Sequence, residues 1–106
     1  MALIQVSDHD FEEKVMKAKV PVLVDFYADW CELFQVIEPM LQELSEDFSN
    51  HAVIAKVNID ENPMVANQHH IISIPTMKLF KDGKLTAMMI GRQPKSELTK
   101  MIRDLL

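Results

Sequence analysis

The sequence predicts an α/β fold: a mixed five-stranded central sheet flanked by four helices. Three observations lead there. Apolar, β-branched runs alternate with segments of helical periodicity, and such alternation implies crossover connections and parallel pairing. Asp82-Gly83 lies between two strand-like runs near the C-terminus, a hairpin signal that adds antiparallel strands. The length, 106 residues, suits one compact domain with one core, so 1–106 is expected to be a single domain.

The elements follow in order. Ile4 to Val6 is a short strand candidate, and Ser7 with Asp10 three residues on can cap a helix. Phe11, Val15 and Ala18 share one face of that helix, and Glu12, Glu13 and Lys14 point away. Val20 to Tyr27 is nearly all apolar, as expected for a strand covered on both faces, with Pro21 near its start. A helix is predicted from about Cys31 to about Phe48. Phe34, Ile37, Leu41, Leu44 and Phe48 repeat at alternating spacings of three and four, and Leu33, Val36 and Met40 form a second apolar row. Pro39 should kink it. Ala52 to Asn58 is a buried strand carrying one lysine, Lys56. Asn62-Pro63 opens a short helix to about His69. Thr76–Lys81 and Lys84–Ile90 make the hairpin, Gly91 ends it, and Pro94 opens a last helix with Leu98, Met101, Ile102 and Leu105 on one face.

Composition narrows the function. Eleven Lys and Arg against sixteen Asp and Glu give a net charge of −5, which disfavours nucleic acid as a partner. No run is long and apolar enough to span a bilayer, and the start of the chain lacks a basic segment and an apolar signal core, so a cytoplasmic location is expected. One cysteine means no intrachain disulfide and no zinc site built mainly of cysteines. His69-His70 has no companion ligands and reads as a surface turn, with His70 in a left-handed conformation; no metal and no cofactor are expected. Met88-Met89 reads as strand packing.

The chemistry is expected around Cys31. Asp29-x-x-Glu32 has the form of a capping box, which would put Cys31 in the first helical turn. Unpaired N–H groups and the helix dipole there favour a thiolate, and Glu32 opposes it. The alternative is a small buried hydrophobe. Asp25, mid-strand among apolar neighbours, needs a partner, and Lys56 in the next apolar strand is the candidate. Phe34 either extends the apolar row of its helix or reshapes the surroundings of the cysteine, three residues away on the same face.

The run Asp25-Phe-Tyr-Ala-Asp-Trp-Cys31, Pro39 and Ile74-Pro75-Thr76 together resemble the thioredoxin family, over essentially the whole chain. The family reads Trp-Cys-Gly-Pro-Cys where this chain has Trp30-Cys31-Glu32-Leu33-Phe34. The resemblance implies the thioredoxin fold, with Cys31 as nucleophile on a substrate disulfide and Asp25 and Lys56 beneath the site, the Asp assisting proton transfer. It also implies a cis bond before Pro75, beside a docking surface of Trp30, Phe34, Ile59, Ile74, Ile90 and Gly91. Core packing is the other reading for some of those isoleucines. Phe34 stands where the resolving cysteine would be. The resemblance therefore implies a thiol–disulfide redox protein of cell redox homeostasis, impaired as a dithiol reductase. A monothiol disulfide oxidoreductase of this kind would exchange electrons with protein or peptide thiols and disulfides and need an external thiol such as glutathione. A non-catalytic binding or chaperone-like module is the alternative. A monomer is expected, with a Cys31-bridged dimer, by disulfide or by an iron–sulfur cluster with external thiols, as the other possibility.

Overall fold

The computed structural model describes residues 3–106. Five strands, β1 (Ile4–Gln5), β2 (Val22–Tyr27), β3 (Val53–Asn58), β4 (Thr76–Lys81) and β5 (Lys84–Ile90), form one sheet in the order β1-β3-β2-β4-β5. β1 and β2 run parallel to β3, β4 runs antiparallel to β2, and β5 antiparallel to β4. Three α-helices, α1 (Leu33–Asp47), α2 (Pro63–Gln68) and α3 (Lys95–Arg103), and a short π-helical turn (Glu12–Met16) cover the faces.

Alternation along β2 sorts the core into two layers. Val22, Val24 and Phe26 join Phe11, Val15, Val57, Val65 and Phe80 under the π-helical turn and α2. Leu23 faces the other way, with Ile37, Leu41, Leu44, Ile54, Leu79, Leu98 and Ile102 under α1 and α3. Each such fully buried aliphatic side chain stabilises the fold by about 1.5–3 kcal/mol relative to exposure. Asp25 and Tyr27 lie on the Leu23 face by the same alternation, so β2 carries a carboxylate into the layer beneath α1.

Several expectations shift. The first helix is a wider turn, closed by Lys17 N–H donating to the Glu12 carbonyl at 2.9 Å. Only half of its capping box forms: Asp10 Oδ1 accepts from the Ser7 N–H at 2.7 Å. α1 includes Pro39, and its buried residues are Ile37, Leu41, Leu44 and Ser45. Leu33 and Val36 are exposed, because that second row turns off the sheet toward the segment at Arg92–Lys95. Asp82 and Gly83, at φ 54° and 75°, make the tight hairpin turn, where a left-handed pair matches the strand twist.

The histidine pair divides. His70 takes φ 55° and is exposed. His69 lies in the same turn but is partly buried. Its ring packs 4.9 Å from Phe11 and 5.6 Å from Phe80, centroid to centroid, and burial holds its pKa below the usual imidazole value. The flat, partly apolar ring fills the gap between the end of α2 and β4, while the Lys78 ammonium donates to its carbonyl at 2.6 Å.

Candidate functional site

The parallel and antiparallel registers bring the chemistry to one end of the sheet. β2 ends at Tyr27 where β4 begins, since Phe26 pairs with Thr76. The segment leaving β2 toward Cys31 and the turn that precedes β4 therefore lie at the same end of the sheet. That turn contains Pro75, and the Ile74–Pro75 bond is cis. The Gly91 N–H donates to the Pro75 carbonyl at 2.8 Å, and φ 85° at Gly91 turns the chain sharply there as β5 ends. Ile90 and Gly91 therefore flank the proline.

Cys31 does not lie in the first turn of α1. The helix begins at Leu33, and Glu32 caps it without any side-chain hydrogen bond. The Asp29–Glu32 capping box is absent. Two turns replace it, with the Cys31 N–H on the Ala28 carbonyl and the Phe34 N–H on the Cys31 carbonyl, each at 3.1 Å. Trp30 is drawn outward instead. Its Nε1–H donates to Asp60 Oδ2 at 2.9 Å, and 69% of the residue is exposed. Cys31 is partly buried and unpaired as a disulfide. It remains at the positive end of α1, one residue outside the cap.

Phe34 is partly buried, and it stacks on Tyr27, with centroids 4.3 Å apart and planes 10° from parallel. The Lys56 ammonium lies over both rings, 5.5 Å from the Phe34 centroid and 5.7 Å from that of Tyr27, within cation–π range. Phe34 thus packs inward, between the Tyr27 ring and the Lys56 ammonium.

Lys56 is not bonded to Asp25. Although the two residues are register neighbours across β2 and β3, the ammonium forms a short hydrogen-bonded ion pair with Glu38 on α1. Glu38 is half-exposed and reaches the ammonium from the solvent side, so the pair keeps some of its hydration. Pairing with Asp25 would require the ammonium to sink into the layer where that carboxylate is wholly buried. Among the described residues, neither Asp25 oxygen has a hydrogen-bond partner. Burial first, and the Glu38 charge second, push the Asp25 carboxyl up to about 7, against a smaller opposing pull from Lys56.

Glu38 was not among the residues singled out from the sequence. Its signal was present, because four residues after Phe34 it shares the inward face of α1 with Ile37 and Leu41. Asp60 was also missed, and nothing local marks it, since its partner Trp30 is thirty residues away. Of the docking positions, Ile59 and Ile74 are partly buried, Ile90 is exposed, and Pro75 is buried.

A single free cysteine between β2 and α1, at the end of the sheet where a cis-proline turn leads into β4, fits a protein of the thiol–disulfide redox class. Comparison with known proteins agrees. The thioredoxin family model matches residues 2–104. Thioredoxin from Acidithiobacillus ferridurans is 45% identical over 101 residues, covering 95% of this chain and 94% of that protein. Thioredoxin 1 from a Nostoc species is 41% identical, with 95% and 94% covered. Thioredoxin from Rhodospirillum rubrum is 43% identical, with 92% and 94% covered. The chain belongs to the thioredoxin family, and it carries a single cysteine. Among the described residues, no helix is long and apolar enough to cross a membrane.

Proposed function

We propose that this protein is a monothiol member of its family, working through Cys31 and needing an external thiol to complete a cycle. The observation that carries this reading is the pairing of a partly exposed Cys31 with a phenylalanine, stacked on Tyr27, where a resolving thiol would be. The Cys31 thiolate attacks one sulfur of a partner disulfide. The partner's S–S bond breaks, a mixed disulfide forms, and the second sulfur leaves as a thiolate. An external thiolate, such as glutathione, then attacks the partner's sulfur in that mixed disulfide. Cys31 leaves as a thiolate, and the partner departs carrying glutathione.

Asp25 and Lys56 are assigned the proton-handling and electrostatic roles beneath the site. Trp30, Phe34, Ile59, Ile74, Pro75, Ile90 and Gly91 are assigned to partner docking. We assign the working compartment to the cytoplasm, where glutathione keeps thiols reduced, and read the working form as a monomer. The exposure of Trp30 and Ile90 favours one second reading, a binding module that docks partners without turnover.

Disulfide reduction of insulin, with and without glutathione, tests the main reading when the protein is compared with its Cys31→Ser variant. Glutathione-dependent reduction lost in Cys31→Ser is expected. A thiol that resists alkylation and captures no peptide disulfide until the protein unfolds refutes it. Partner binding unchanged in Cys31→Ala would then support the binding module.

A further inference from the structure

β5 is the last strand of the sheet and bonds β4 alone, so a row of its backbone N–H and carbonyl groups faces outward. At the opposite edge β1 has two residues, whereas β5 has seven. The longer edge offers the longer ladder to another chain. The two faces of β5 differ as well. Met89 pairs with Met77 and Ala87 with Leu79, on the side buried under α1 and α3. Met88 pairs with Lys78 and Leu85 with Phe80, and cross-strand pairs share a face, so both lie on the α2 side. The register shift between Leu79 and Phe80 brings Leu85 onto that side. It is left bare there: Leu85 is 50% exposed and Met88 52%. Ile90, at the end of the strand, is assigned to the Cys31 site.

The charge along this edge is one-sided. Residues 76–96 hold five Lys and Arg and one carboxylate, Asp82, in a chain of net charge −5. Three of these cations are engaged. Lys78 donates to the His69 carbonyl, Lys81 to the Leu105 carbonyl, and Lys95 pairs with Glu43 and Asp47. Lys84 and Arg92, exposed at the two ends of β5, have no ion pair among the described residues.

A second copy of the chain does not suit this edge. Two β5 strands pairing antiparallel must match their faces, since a slip of one residue exchanges them. The register centred on Met88 does so along the strand, with Ala87 opposite Met89. It also sets Lys84 opposite Arg92 at both ends, where like charges repel.

We propose that the β5 edge takes up an extended, acidic segment of a partner protein as an added strand, with apolar side chains against Leu85 and Met88 and carboxylates opposite Lys84 and Arg92. Backbone hydrogen bonds supply the affinity, and the two end charges select an acidic segment over a basic one. No step of the Cys31 chemistry uses this surface.

The test uses two capped nonapeptides without cysteine, with valine at the third, fifth and seventh positions and threonine between. One has Glu at both ends and the other Lys. Each is titrated into the isotope-labelled protein, and amide shifts and hydrogen exchange are followed. The acidic peptide is expected to bind about tenfold more tightly at low salt and to lose that preference at about 0.5 M salt. It should protect amides along β5. Lys84→Glu should shrink or reverse the preference, and Met88→Thr should weaken both peptides alike. Lys100→Glu makes the same charge change on α3, across the sheet, and should leave the preference largely unaltered. Equal affinities, shifts centred on Trp30 and Pro75 with none along β5, or no binding of either peptide at millimolar concentration each overturn the proposal. Protection of β5 that grows with protein concentration, without peptide, also overturns it, because the occupant is then a second copy.

Discussion

Asp25→Asn should stabilise the protein at alkaline pH and hardly at all in acid. The carboxyl is pushed up to about 7 from an ordinary 3.8. Between those two values the folded chain holds a proton that the unfolded chain has released. Stability therefore falls as pH rises through that window, and the loss is complete above about pH 7. The gap, 7 − 3.8, at ~1.36 kcal/mol per unit, corresponds to ~4 kcal/mol. Asparagine is close in shape to the protonated acid and stays neutral throughout. The two proteins should have similar stability near about pH 4 and differ by ~4 kcal/mol at about pH 8.5. With a guanidinium slope of ~3 kcal/mol per molar, the unfolding midpoint of the variant should move up by ~1.3 M at the higher pH. Guanidinium titrations at a series of pH values measure this directly. A difference that stays constant across the range, or a variant less stable than its parent at the alkaline end, would refute the account of Asp25 as a carboxyl buried without a partner.

Three further outcomes follow from the same region and its supports. Glu38→Gln should lower the Asp25 pKa, since it removes a nearby negative charge and frees Lys56; the carboxylate infrared band followed against pH reads this, and an unchanged or higher midpoint contradicts it. Phe34→Cys should form a disulfide with Cys31 under mild oxidation and gain reductase activity with a dithiol donor, while losing the stack on Tyr27 lowers stability by about 1–3 kcal/mol; a variant that keeps two accessible free thiols under oxidation would displace position 34 from the site. Asp8→Ala should cost about 1 kcal/mol, because Asp8 Oδ1 accepts from the Val65 N–H at 2.8 Å and Oδ2 from the Met64 N–H at 3.3 Å at the start of α2. Faster hydrogen exchange at those two amides is the readout, and unaltered protection there rules out the cap.

Much of the fold could be read from local pattern. The strands β4 and β5 have the expected bounds, and the other elements begin or end within two residues of expectation, because burial on both faces leaves an unbroken apolar run and one-sided burial leaves a 3-4 spacing. The candidate site was legible where its residues come from one short stretch, as Trp30, Cys31 and Phe34 do. It was less so where partners come from distant elements. Asp25 and Lys56 are matched in sequence pattern and adjacent in register, yet the lysine bonds Glu38 because α1 crosses above them. Likewise Asp29 and Glu32 carry capping chemistry, yet Asp60 takes the Trp30 N–H and the chain enters α1 through a pair of turns.

The residues alone determined the α/β class, the family, the single thiol and the absence of an intrachain disulfide, since those depend on periodicity and on a count of cysteines. The tertiary structure decided which carboxylate meets Lys56, how Phe34 lies on Tyr27, that His69 is packed among phenylalanines, and that Ile72 stands exposed. Each of these is a competition between groups far apart in the chain for the same space or the same charge. Such competitions are settled by distance and solvation after the sheet has assembled, and no local spacing encodes their outcome.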